Sequence, residues 1–197
     1  MRRLLTTTVA LMGLAAVQAP QAKAQTALIN LGADYTASFV GDDFDGLDGG
    51  IGVQGGLLFP LGPMSHIGGE VNWTGIDFQS DLADDAADAS ILDIVGDVNI
   101  GLSDGTSARP YIDLRAGYSR MAFQVGDVDG SVDGPTAGGG LGVRLHAGGI
   151  MVDVHGRYQH HWYGDFNDET LIFSEKTTGG RLVFGAGISI PMGGGGM

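Results

Sequence analysis

The sequence predicts an all-β chain of eight antiparallel strands closed into a barrel, and three observations carry that expectation. Eight segments alternate apolar and polar residues with period two, the side-chain period of a strand. The connections between them run long, short, long, short, long, short, long. The polar face of the strands mixes acids with arginines, whereas the apolar face carries no charge until Arg120 at a strand end.

The first alternating segment sets Ile29, Leu31, Ala33, Tyr35, Ala37 and Phe39 against Asn30, Gly32, Asp34, Thr36 and Ser38. An acidic loop, Val40 to Asp48, separates it from a second strand with Ile51, Val53, Leu57 and Phe59 opposite Gly52, Gln54 and Gly56. The turn Pro60 to Pro63 is short. The third strand places Ile67, Val71 and Trp73 against His66, Glu70, Asn72 and Thr74, and gives way to a long acidic segment, Asp77 to Ala89. The fourth sets Leu92, Ile94, Val98, Ile100 and Leu102 against Asp93, Asp97 and Asn99, and ends at the polar turn Ser103 to Ser107.

The fifth strand, RPYIDLRAGYSRM from Arg109 to Met121, puts Ile112, Leu114, Ala116 and Tyr118 on one face and Asp113, Arg115, Gly117 and Ser119 on the other. Pro110 stands near its start, where a missing backbone donor does least harm. Its Gly- and Asp-rich connection is expected to be a loop from Ala122 to Pro135. The sixth strand, Ala137 to His146, has Leu141, Val143 and Leu145 opposite Gly138, Gly140, Gly142 and Arg144. After the turn Ala147 to Gly149, the seventh sets Ile150, Val152, Val154 and Tyr158 against Asp153, His155, Arg157 and Gln159. A long loop, His160 to Thr177, leads to the eighth, with Leu182, Phe184, Ala186, Ile188 and Ile190 opposite Arg181, Gly185 and Ser189.

The N-terminus reads as an address: Arg2 and Arg3, an apolar run from Leu4 to Val17, then Ala22, Lys23 and Ala24 as a cleavage signal. Residues 1–24 are expected to be a cleavable signal peptide, residues 25–190 one barrel domain, and residues 191–197 a Gly-rich tail. Loss of Arg2, Arg3 and Lys23 leaves seven Lys+Arg against 23 Asp+Glu. That acidity argues against nucleic acid as a partner, because phosphate contacts need basic side chains. With no cysteine, disulfides and thiolate metal sites are excluded outright.

Charge placement decides which face meets which environment. Asp34, Glu70, Asp93, Asp97, Asp113 and Asp153 share the polar face with Arg115, Arg144, Arg157 and Arg181. A face turned to water has no reason to mix four arginines among those acids. In the lumen of a narrow eight-stranded barrel they can pair, with Gly52, Gly56, Gly138, Gly140 and Gly142 making room. Tyr35, Phe39, Phe59, Trp73, Tyr118, Tyr158 and Phe184 then fall on the outer face near strand ends, as interfacial aromatics do in a membrane barrel. The competing reading is a periplasmic β-sandwich or lipocalin-like barrel that uses those aromatics as its core.

The sequence resembles the small outer-membrane β-barrels of Gram-negative bacteria, the porin-family or OmpA-type eight-stranded transmembrane barrels. The resemblance rests on the signal segment, on Arg109-Pro110-Tyr111-Ile112 running to Ala116-Gly117-Tyr118, and on the closing run Leu182-Val183-Phe184-Gly185-Ala186-Gly187-Ile188. It implies a monomer with short periplasmic turns and variable external loops, inserted by the outer-membrane assembly machinery among lipid and lipopolysaccharide. Such barrels usually end on an aromatic residue. This chain continues through Pro191, Met192 and Gly193 to Met197, so either that signal is missing or Ile188 and Ile190 serve in its place.

His160, His161, Trp162 and Tyr163, with Asp165 and Asp168, form the densest group of candidate ligands or catalysts. Their spacing matches no metal motif, no serine sits in a nucleophile elbow, and no His-x-Ser motif of lipid A hydrolysis occurs. Asp43-Phe44-Asp45-Gly46 and Asp127-Val128-Asp129-Gly130 look like calcium loops but lack the bidentate Glu. His66, His146 and His155 read as lumen residues. The expected function is therefore structural or surface-interactive, with acidic external loops, no enzymatic activity, no cofactor and no metal. The alternatives are a narrow porin-like channel for small solutes and a soluble periplasmic ligand-binding barrel.

Overall fold

A computed structural model of the chain describes residues 27–41, 44, 47–78, 87–103, 107–125, 128–164 and 177–192. Its strands are β1 (Ala27–Val40), β2 (Leu47–Pro60), β3 (Ser65–Phe78), β4 (Ala87–Gly101), β5 (Ala108–Val125), β6 (Val128–Ala147), β7 (Ile150–Trp162) and β8 (Thr178–Met192). Each pairs antiparallel with its sequence neighbour, and β1 pairs with β8 to close the barrel. Closure satisfies the backbone groups that an open sheet would leave at its edges. The expected signal peptide and the residues after Met192 lie outside the described residues. Pro191 and Met192, assigned to the tail by the sequence, complete β8 opposite Leu28 and Ala27.

Two expectations about connections are corrected. The segment from Ala122 to Pro135 is a tall hairpin rather than a loop, because the β5–β6 ladder runs without a break from Tyr118↔Pro135 to Val125↔Val128. Its glycines and aspartates mark turns in sequence, yet both strands gain ladder bonds by continuing. At the next long connection, His160, His161 and Trp162 belong to β7, where they pair with Gly180, Gly179 and Thr178.

Alternation sorts the side chains into two environments. On β7 every second residue is buried, Met151, Asp153, His155, Arg157, Gln159 and His161 in turn. Outside, Ile51, Val53, Ile94, Leu114, Leu141 and Phe184 are each more than half exposed. A belt of that extent is an apolar surface that water does not favour. Inside, the barrel is layered. Leu28, Leu58 and Met151 form an apolar cluster at the end where the short turns lie. Phe44, Ile76, Ala89, Ile91, Met121, Val132 and Tyr163 form a larger one at the opposite, long-loop end. The charged residues lie between.

Phe39 departs from its expected place on the outer face. A register shift between Thr36 and Ser38 inverts the alternation at the end of β1, so Phe39 packs against the inner long-loop cluster and Val40 is exposed instead. A β-bulge of this kind re-aims every side chain beyond it.

Leu58 is fully buried at the centre of the short-turn cluster. Leu58→Ala is expected to lower unfolding stability by about 2–4 kcal/mol, read from urea denaturation of the refolded barrel followed by tryptophan fluorescence.

Candidate functional site

The candidate site is the middle of the lumen, which three strands furnish by parity alone. Glu70 comes from β3, Asp113 and Arg115 from β5, and Arg157 from β7. Arg115 reaches Glu70 at 2.9 Å and Asp113 at 3.3 Å, with Asp97 of β4 at 3.8 Å. Arg157 reaches Asp113 at 2.8 Å and Glu70 at 3.4 Å, and donates to Gln54 Oε1 at 2.7 Å. Two guanidiniums and two carboxylates thus form a closed set in which each cation touches both anions. All four side chains are at least nine-tenths buried, so the pairing offsets a desolvation cost that none could meet alone.

Further residues extend the set toward both ends. Toward the long loops, Arg181 pairs with Asp93 and donates to Thr74 Oγ1 at 3.0 Å. His161 lies 3.9 Å from Asp93 and stacks on Tyr163 at 5.4 Å between ring centroids. Toward the short turns, Arg144 approaches Asp153 at 3.3 Å, donates to Asn99 Oδ1 and lies 4.5 Å over the Tyr111 ring. Asn99 in turn donates to Asp97 at 2.5 Å and to Asp113 at 3.1 Å, bridging the two carboxylates.

His155 joins two strands through one ring. Its Nδ1 faces Asp153 Oδ1 at 2.8 Å and its Nε2 faces Asp34 Oδ1 at 3.0 Å. Only an imidazolium donates to both oxygens, and Asn72 Nδ2 donates to the second oxygen of Asp34 at 2.6 Å. All ten lumen residues named from the sequence therefore lie inside, with Asp34 paired to a histidine rather than an arginine. The sequence placed His155, Asn72, Asn99 and Gln54 on the same face without giving them partners. Tyr111 has the parity of Asp113 and bridges both oxygens of Asp153 at 2.9 Å, a role that parity alone could have suggested.

Close packing fixes where glycine is needed. A Cβ on Gly140 would crowd the Arg157 side chain, and one on Gly142 would enter the Tyr111 ring. Of the five glycines expected to make room for arginines, Gly140 faces one. Gly52 faces Thr74, Gly56 faces Glu70, and Gly138 lies against the Tyr158 and Gln159 backbone.

The His/Trp/Tyr group of the sequence is divided by strand alternation. His161 and Tyr163 are buried inside, whereas Tyr158 and Trp162 are exposed outside with His160 half-buried between them. Tyr158 Oη lies 3.2 Å from His160 Nδ1, and the His160 and Trp162 rings meet edge-on at 4.4 Å. The two halves face opposite sides of the wall and cannot form one site. Asp165 and Asp168 lie outside the described residues, as do Asp43, Asp45, Gly46 and Asp127 of the calcium-like runs. Of the expected interfacial aromatics, Tyr35, Phe59, Trp73, Tyr118, Tyr158 and Phe184 are on the outer surface.

A closed eight-stranded wall, apolar outside and charged within, decides the comparison with solved structures. The fold is that of the small outer-membrane barrels. Neisserial surface protein A superposes with a TM-score of 0.60 at 13% identity, covering 84% of this chain and 97% of that one. The attachment invasion locus protein Ail of Yersinia pestis gives 0.54 at 13% identity over 86% and 100%. OprG of Pseudomonas aeruginosa, an outer-membrane protein, gives 0.52 at 13% identity over 85% and 96%. No family model matches the chain, and no curated protein sequence matches it.

Removing one partner of the central set leaves buried carboxylates unpaired. Arg115→Leu is expected to cost about 3–5 kcal/mol, and the Arg115→Leu/Glu70→Leu pair to recover part of that loss. A double-mutant cycle on unfolding free energy measures the coupling directly.

Proposed function

We propose that the chain is an outer-membrane barrel whose lumen is a packed anchor, and that its activity resides in the surface presented by its long loops. The observation that carries this is the exposed apolar belt around a filled interior. A soluble barrel buries its apolar face and hydrates its polar one; this chain does the reverse. In this reading the signal segment is cleaved, both ends of the barrel lie on the periplasmic side, and the protein is a monomer inserted by the outer-membrane assembly machinery.

The filled lumen disfavours conduction. A void of about 10 Å³ remains beside Asn30, Gln54, Glu70 and Arg157, roughly the space of one water. Above and below it stand the two apolar clusters. The connections at the end opposite the short turns, residues 41–46, 79–86, 126–127 and 163–177, carry eleven Asp+Glu against Lys176 alone. Acidic loops at the cell surface would collect divalent ions that bridge to lipopolysaccharide phosphates. The barrel named for attachment and invasion in Yersinia pestis is a precedent for a surface role on this fold.

Cell fractionation is expected to place the protein in the outer membrane, with a folded band that shifts on heating in detergent gels. Planar bilayers are expected to record no stable open channel; sustained conductance would overturn the packed-anchor reading. Ile94 stands mid-strand on the belt, 58% exposed, and Ile94→Arg is expected to cost about 2–4 kcal/mol in lipid vesicles. A neutral effect there would remove the belt from the bilayer.

A further inference from the structure

The ladder between β1 and β8 closes the wall, and its inner face is nearly bare at mid-height. There β8 presents Gly185 and Gly187, and β1 presents Gly32 and Asp34. Nearer the short turns Ser189 donates to Asn30 at 2.6 Å, and nearer the long loops Arg181 reaches over the lumen to Thr74 and Asp93. Between those levels, two side-chain bonds among the described residues pass above the join. Arg157 to Gln54 links β7 with β2, and His155 to Asp34 links β7 with β1.

The second of these lies directly over the closing strand. Asp34 and His155 flank the same residue of β8, since Gly185 is the ladder partner of both. Adjacent strands stand about 4.8 Å apart, which puts β1 and β7 ~10 Å apart at this rung, a gap that only two inward-reaching side chains can span. Gly185 makes the crossing possible: a Cβ there would land on Asp34 Oδ1 and His155 Nε2. Both ends are fixed from outside the join. Asn72 of β3 donates to the other oxygen of Asp34 at 2.6 Å, and Asp153 holds the far nitrogen of His155 at 2.8 Å. Asp34 and His155 are buried, and a charge-assisted bond away from water is stronger than one at a surface.

We propose that the Asp34–His155 bond is a latch on the closing strand, one that keeps β1 and β7 two strand widths apart and so holds open the slot in which β8 pairs on both edges. With the latch closed, β8 cannot leave its ladders without breaking a bond to which it contributes no side chain. With the latch broken, β8 opens more often while the opposite wall, braced by Arg115, stays shut. The device goes beyond the surface role of the loops and works whichever way the barrel faces.

The test is amide hydrogen exchange of the full chain in phosphatidylcholine nanodiscs, followed strand by strand. His155→Ala is expected to speed exchange in β8 between Val183 and Gly187 about tenfold, and to leave the β4–β5 rungs from Ile94↔Tyr118 to Gly96↔Ala116 within about twofold of the parent. Gly185→Ala keeps both charges but puts a methyl group in the latch, and the same increase confined to β8 is expected. In the double variant the methyl group enters space that the imidazole has left, so the second change is expected to add less than about twofold to the first. If His155→Ala fails to fold, Asp34→Asn takes its place in the same cycle. Exchange that rises equally in β8 and in the β4–β5 rungs, exchange in β8 that does not rise, or effects that multiply in full in the double variant would each overturn the latch.

Discussion

The structure depends on one arrangement, the two guanidiniums of Arg115 and Arg157 set between the carboxylates of Glu70 and Asp113. A barrel of eight strands has a lumen just wide enough to be filled by side chains. Once the outer face is apolar, alternation forces the polar half of every strand into that space. Glycine, amides and paired charges are the means of filling it, and the four-membered set spans β3, β5 and β7 from the inside. It acts as an interior cross-brace where a soluble protein would have an apolar core.

That brace carries a cost. Buried ion pairs of this type often stabilise no more than apolar residues of equal volume would. What they supply here is register. Each carboxylate meets two cations from different strands, so sliding one strand by two residues would strand charges in several layers at once. The apolar clusters at the two ends complement this by keeping water from competing for the central donors.

Parity was legible in the sequence, and partnership was not. The alternation around Asp113 and Arg115 identifies the inner face without any structure, because period two is a property of each strand alone. That Arg115 meets Glu70, 45 positions away, depends on strand stagger around the barrel, which no single strand records. Phe39 is misread for a related reason: the shift after Thr36 is a feature of the β1–β8 ladder rather than of the β1 sequence. Leu28, Leu58 and Met151 were passed over because they are apolar residues on the polar parity. The tall hairpin was hidden behind Gly130, Gly134 and Pro135, residues that signal turns when read singly and are tolerated in a ladder paired on its other side.

The same hairpin has a geometric consequence. The 20 residues of β6, at ~3.3 Å each and tilted by ~40°, rise ~50 Å, about twice the apolar band of an outer-membrane barrel. With β6 laddered to β5, and β5 to β4 from Tyr111 to Val125, the excess would, in the proposed orientation, form a ribbon standing clear of the bilayer. Whatever meets the Gln124↔Asp129 rung near the top of that ladder would meet it at a fixed height and bearing, as the head of a mast rather than the end of a tether.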